Sequence, residues 1–184
     1  SGVESSHPDI AENILSGSDF FEAGGNGHVD LSGHGTAMAG LIAAHGRGND
    51  GILGIAPLAK ILPVRDAGKD LPVGRPFTDA IEWAAGRRVG VMCIATSGGR
   101  TSRLDAAIAE AIAADIVVVA AAGNRPDDTK VGYPAAYDGV VAVAGVDRQG
   151  NHADVSVTGP EVMLAAPAVD IWSTPSTLPL CWFW

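Results

Sequence analysis

The chain has little of what would open several ready explanations. It carries 2 cysteines in 184 residues, Cys93 inside an apolar run and Cys181 near the end, with no CxxC or zinc spacing and no disulfide framework. Lys and Arg number 12 against 21 Asp and Glu, and no basic run occurs. The formal net charge of -9 therefore argues against nucleic acid and against an anionic membrane surface as partners. No apolar run approaches the length of a membrane span. The opening Ser1-Gly2-Val3-Glu4-Ser5-Ser6-His7-Pro8 has neither the charged nor the apolar region of a signal peptide, and no initiator methionine. The expectation is an internal piece of something longer. What is present is hydrophobic side chain, 47% of residues, enough for one sizeable core and, by length, one domain.

The stretch Ser32-Gly33-His34-Gly35-Thr36-Ala37-Met38-Ala39-Gly40-Leu41-Ile42-Ala43-Ala44 places a histidine at the mouth of a small-residue helix. Flanking glycines allow a tight turn, and the alanines make a helix slim enough to sit close to a sheet. A glycine near His45-Gly46 is expected to cap its end. A lone histidine so placed is more often structural than catalytic, so its meaning depends on its company. The glycines of Glu22-Ala23-Gly24-Gly25-Asn26-Gly27-His28 mark a surface loop. They follow no clear strand and open no helix, which speaks against a phosphate-binding or nucleotide-binding reading.

An α/β rhythm follows. Lys60 to Arg65 reads as a short strand in which Pro63 suits an edge or an end. Phe77 to Ala85 reads as a helix with Phe77, Ile81 and Ala84 or Ala85 on one face. Val89 to Ala95 is an apolar run stopped by Ser97-Gly98-Gly99. Ser102-Arg103-Leu104-Asp105 has the form of a capping box, followed by the helical stripe Leu104, Ile108, Ile112. Ile116 to Ala121, Val140 to Val146 and, more weakly, Val162 to Ala165 read as strands, the first apolar on both faces. Such strands alternating with amphipathic helices predict a parallel, doubly wound α/β sheet, with functional groups beyond the carboxyl ends of the strands. Ala95-Thr96-Ser97-Gly98-Gly99 and Ala120-Ala121-Ala122-Gly123-Asn124 fall at two such ends. There Asn124 presents a side-chain amide able to donate into a cleft.

These motifs, in this order, resemble the subtilisin-like serine proteases, or subtilases. Gly33-His34-Gly35-Thr36 resembles the family's histidine motif, with Ala37-Met38 in place of the usual His-Val. Gly54-Ile55-Ala56-Pro57, Ile81-Glu82-Trp83-Ala84, Ala121-Ala122-Gly123-Asn124, Gly132-Tyr133-Pro134-Ala135, Val141 to Asp147 and Thr158-Gly159-Pro160-Glu161 continue the likeness, up to about Thr174. The resemblance implies a three-layer, doubly wound, mostly parallel sheet and serine endopeptidase chemistry on a polypeptide substrate. His34 would be the general base and Asn124 the oxyanion donor. Thr96, Ser97 and Gly98 would line one wall of the substrate cleft and Ala121, Ala122 and Gly123 the other, with the peptide held as an extended strand. It also implies a cis Tyr133-Pro134 bond, and secretion or the cell envelope as location.

The pattern departs from the family in several places. The catalytic aspartate belongs just before Ser1, on a first central strand, and the nucleophilic serine belongs on a helix beyond Thr174. The expectation is therefore a partial catalytic domain over 1–174, a non-family tail over 175–184, and an inactive chain when taken alone. Asp30, four residues before His34, is given no catalytic duty. Ile94 and Ser97 replace a polar strand residue and a cleft leucine, so substrate preference does not carry over. Many subtilases bind calcium, and Asp9 stands where one ligand sits. The loop Gly46-Arg47-Gly48-Asn49-Asp50-Gly51 is too short and glycine-rich to supply the others, so no metal or other cofactor is assigned. The competing reading is a non-catalytic relative that keeps the cleft and binds peptide.

Overall fold

The computed structural model describes residues 1–46, 51–66, 75–124 and 129–175, which fall into two compact units, 1–80 with 172–175, and 81–171. Most of the 46–51 loop and all of the tail after Pro175 lie outside the described residues.

In the first unit, a 3-10 turn at Ala11–Asn13 precedes β1 (Ser18–Asp19), α1 (His34–Ala43) and β2 (Val64–Arg65). The expected strand over 60–65 narrows to β2, which pairs parallel to β1, while Ile61 bridges Ile14. Pro63 stands just before β2 and needs no N–H there; its carbonyl accepts from Ser18 N at 3.1 Å. α1 buries Thr36, Ala37, Ala39, Gly40 and Ala43. Val3, Ile10, Ala39 and Ala44 form the core of this unit with Ile14, Ile52 and Ile61 around them.

The end of α1 differs from expectation. The helix stops at Ala43 with an extended Ala44, short of Gly46. Its last carbonyls are satisfied from outside: Gly54, Ile55 and Ala56 donate their N–H groups to Ala44, Leu41 and Ile42 at 2.7–3.0 Å. Gly54 is required for this approach, because a Cβ there would come within 2.6 Å of the Ala43 and Ala44 nitrogens.

The second unit holds β3 (Val91–Ile94), α3 (Ser102–Ala113), β4 (Val117–Ala121), β5 (Val141–Val146) and β6 (Val162–Pro167) in one sheet of order β3-β4-β5-β6, every pair parallel. α2 (Arg75–Gly86) spans the division between the units; it buries Phe77, Ile81, Ala84 and Ala85 of the predicted face, and also Thr78 and Ala80. α3 buries Leu104, Ala107, Ile108 and Ala111. Its N-cap is Thr101, one residue before the expected box: Thr101 is extended and its hydroxyl accepts from Leu104 N at 3.1 Å. Asp105 is engaged elsewhere.

The strands also bury less than their composition predicts. Met92, Ile94, Val118, Ala120, Ala142 and Ala144 are buried, but Val91 and Val117 are 59% and 50% exposed and Met163 is 64% exposed. Apolar composition on both faces thus corresponds to full burial on alternate residues in β3, β4 and β5 and to none in β6, while α3 packs on β4.

Arg65 is the largest buried polar group, 1% exposed, and its Nη1 meets the equally buried Asp19 carboxylate at 2.8 Å, with Glu22 at 3.4 Å and the Phe21 ring beside it. Burial pushes the Asp19 pKa up, but N–H groups of Glu22 and Phe21 and the Arg65 guanidinium outweigh it and hold the group below its ordinary 3.8. Removing one member of a buried pair strands the other. Arg65→Met is therefore expected to lower unfolding free energy by about 3–5 kcal/mol in urea titrations. Because the folded-state pKa is depressed, the stabilisation is complete above about pH 3.8 and is lost as pH falls through the lowered value. In an acid titration followed by circular dichroism, Asp19→Asn should flatten that part of the curve.

Candidate active site

His34 is the first residue of α1 and is half-buried. Gly33 supplies the left-handed N-cap, φ 79°, that turns the chain into the helix. Gly35 is equally constrained, since a Cβ there would come 1.9 Å from the Gly2 carbonyl oxygen. The Ser1–Gly2 segment therefore lies directly on the first turn of α1, where Ser1 Oγ accepts from Gly35 N at 2.9 Å. On the same helix, Ser173 Oγ donates to the Ala37 carbonyl at 2.5 Å and Thr174 Oγ1 to the Thr36 carbonyl at 2.8 Å. Gly40 leaves room for Thr174, as a Cβ would lie 2.2 Å from its hydroxyl.

The remaining expected residues all belong to the second unit. β4 ends at Ala121; Ala122 N donates to Val143 O at 2.9 Å, Gly123 turns with φ 121°, and Asn124 emerges exposed, bridged to Ser156. Val157 N donates to Gly123 O at 3.1 Å and fixes that turn from the other side. Thr96, Ser97 and Gly98 follow β3 and are half-buried. Gly98 exchanges both backbone hydrogen bonds with Tyr133, at 2.8 and 3.1 Å, and Gly132 N donates to Ala122 O at 3.1 Å. The structure thus joins the two expected walls through the Gly132–Tyr133 segment. The Tyr133-Pro134 bond is cis, as the resemblance implied. His34 belongs to the other unit.

Sequence spacing gave no sign of the polar cluster behind this segment. Arg100 grips Asp105 with Nε and Nη2 at 2.9–3.1 Å, the Tyr137 hydroxyl donates to the same carboxylate, and the guanidinium lies 5.8 Å from the Tyr133 and Tyr137 ring centres. Arg100 and then Tyr137, by hydrogen bonding, hold Asp105 below the ordinary carboxylate range. Burial and then Asp105 push the Tyr137 hydroxyl well up. An Arg five residues before an Asp at a helix start is unremarkable until Tyr137 folds onto it.

Asp9, the expected position of one calcium ligand, is buried and accepts from Ile52 N at 2.9 Å. The rest of that loop falls mainly outside the described residues, among which no group of three or more His, Cys, Asp or Glu could hold a metal ion.

The family model for the subtilase family matches residues 1–180. Among curated relatives, the chain is 36% identical over 182 residues to subtilisin E of Bacillus subtilis, an alignment covering 95% of this chain and 46% of that one. It is 33% identical over 183 residues to the major intracellular serine protease of the same species, covering 94% and 57%. Among solved structures, sphericase superposes with a TM-score of 0.82 at 28% identity, covering 95% of this chain and 66% of that one. The chain spans about half the length of the curated relatives it matches. The expected α/β, doubly wound fold is that of these neighbours.

The Gly132 contact is tight enough to test the joined walls. A Cβ there would sit 2.8 Å from Ser97 Cβ. Gly132→Ala is expected to cost about 1–3 kcal/mol by overpacking. It should also speed amide exchange at Gly98 and Tyr133, read by hydrogen–deuterium exchange.

Proposed function

From the premise that the chain belongs to the subtilase family, we propose that it is the His- and Asn-bearing part of a serine endopeptidase that hydrolyses polypeptides through an acyl-enzyme. The observation that carries this reading is Asn124, exposed immediately beyond the carboxyl end of β4 on a glycine turn held from both sides. A side-chain amide carried on such a turn suits a donor to a developing oxyanion; subtilisin is the standard case, where losing the donor costs about 100- to 1,000-fold in kcat. His34 takes the nucleophile's proton and returns it to the leaving amine.

The aspartate and the serine that complete this chemistry lie outside the 184 residues under this reading, and the chain alone does not turn over substrate. The packing of Ser1–Gly2 on the first turn of α1 supports the first half: a residue joined to Ser1 begins about 3.8 Å, one Cα–Cα step, from Ser1 Cα. Ser173, one of the serines within reach of α1, spends its hydroxyl on the Ala37 carbonyl. Thr96, Ser97 and Gly98 on one side and Ala121, Ala122 and Gly123 on the other bind the peptide as an added strand. No cofactor enters the chemistry. Export of the parent protein accompanies this reading, although one relative is named for an intracellular location.

The test is hydrolysis of a casein-derived peptide by this chain and by the longer product of its gene. The longer product is expected to cleave, His34→Ala to abolish cleavage, and Asn124→Ala to lower kcat by about 100-fold or more with KM little changed. Cleavage by the 184-residue chain itself would overturn the claim of inactivity. Peptide binding without cleavage by the longer product would favour a non-catalytic, peptide-binding relative.

A further inference from the structure

Asp30 has the most heavily used carboxylate in the described structure. It is 3% exposed. Its Oδ1 accepts from Ser32 N, Ser32 Oγ and Gly33 N at 3.1, 3.1 and 2.9 Å, and its Oδ2 from Thr36 N and Thr36 Oγ1 at 2.8 and 2.6 Å. The His34 N–H in turn donates to Ser32 Oγ at 3.2 Å, so the backbone carrying the imidazole is tied to Asp30 through one hydroxyl. Thr36 is fully buried, and its hydroxyl, while donating to Asp30, accepts from Glu4 N at 2.9 Å. The left-handed Gly33, the amide of His34 and the third residue of α1 therefore all take their positions from one side chain.

The geometry points to Asp30 as the positioning residue for His34, distinct from the aspartate that would pair with the imidazole. This rests on the reading of His34 as the general base, but its action is on placement and is measurable whether or not the ring takes a proton. All five partners of the carboxylate are donors, which an ionised carboxylate satisfies and a carboxamide does not. An Asn at this position turns an NH2 either toward Thr36 N–H or toward the Ser32 and Gly33 N–H groups, and leaves at least one buried donor without an acceptor. The turn must then open, and the histidine backbone moves with it.

The test is two-dimensional NMR of the chain with labelled histidine. His34→Gln assigns the His34 ring signal among the 5 histidines, and His28 and His152 serve as internal controls. Asp30→Asn is expected to displace the His34 Cε1–H signal and to change the rate at which diethyl pyrocarbonate acylates that ring, with His28 and His152 unmoved. Shifts confined to the Gly33 and Thr36 amides, with the His34 ring signal and acylation rate unchanged, would make Asp30 only a helix cap and overturn the proposal. If Asp30→Asn does not fold, Thr36→Val carries the test, since it removes one of the five hydrogen bonds, together with the acceptor of Glu4 N, and keeps the carboxylate, while Glu4→Pro removes the Glu4 N–H alone as its control. A smaller displacement of the same ring signal, restored in Thr36→Ser, supports positioning; an unmoved ring signal refutes it. Failure of the endopeptidase reading would show separately, as no hydrolysis by the longer product, and failure of the general-base role as hydrolysis that survives His34→Ala.

Discussion

The buried Asp30 carboxylate is the constraint on which the first unit turns. A charge removed from water is tolerable only when its lone pairs are filled, and here five donors from three nearby residues, Ser32, Gly33 and Thr36, converge on it. Filling them fixes the left-handed Gly33, starts α1 at His34 and buries Thr36. Thr36 then gathers the Glu4 amide on its hydroxyl and the Thr174 hydroxyl on its carbonyl. Segments 32 and 138 residues from Thr36 in sequence thus meet on one side chain and one peptide group. The far end of α1 is tied down differently, by N–H groups of the 54–56 segment on carbonyls that would otherwise be orphaned.

The second unit works by a separate rule. Parallel strands deliver their carboxyl ends to one edge of the sheet, and residues just beyond β3 and β4 are those that family likeness marks as cleft walls and oxyanion donor. Beyond the ladder, what holds those ends is glycine. Gly132 allows contact with Ser97, Gly98 pairs with Tyr133, and Gly123 adopts a φ that side chains rarely accept. Behind them Arg100, Asp105 and Tyr137 form a charge-assisted cluster that fastens the start of α3 to the loop carrying Tyr133.

The departures from sequence-based expectation share a cause. Gly46 was a reasonable cap for α1 and Ser102 a reasonable cap for α3, because local chemistry offers both. In the fold, the irregular 54–56 segment satisfies the first helix and a neighbouring threonine the second. β4 has the composition of a strand buried on both faces, yet Val117 is half exposed, because composition records what a face tolerates rather than what covers it. Asp30 was visible in the sequence only as an acid four residues before a histidine, a spacing that carries no information about burial.

By itself, the sequence determined the succession of helices and strands from α1 onward, though not β1, together with the parallel α/β class, the family likeness and the placement of His34 and Asn124 at the start of a helix and beyond the end of a strand. These follow from periodicity, glycine punctuation and ordered motifs, all of which act over a few residues. The tertiary structure alone decided the five-donor coordination of Asp30, the buried Arg65–Asp19 pair, the seating of Thr174 on α1 and the cluster around Asp105. The donors to Asp30 lie only two to six residues from it, but the burial of that turn and the other three contacts depend on segments brought together by the fold, and their energy on exclusion of water once they meet.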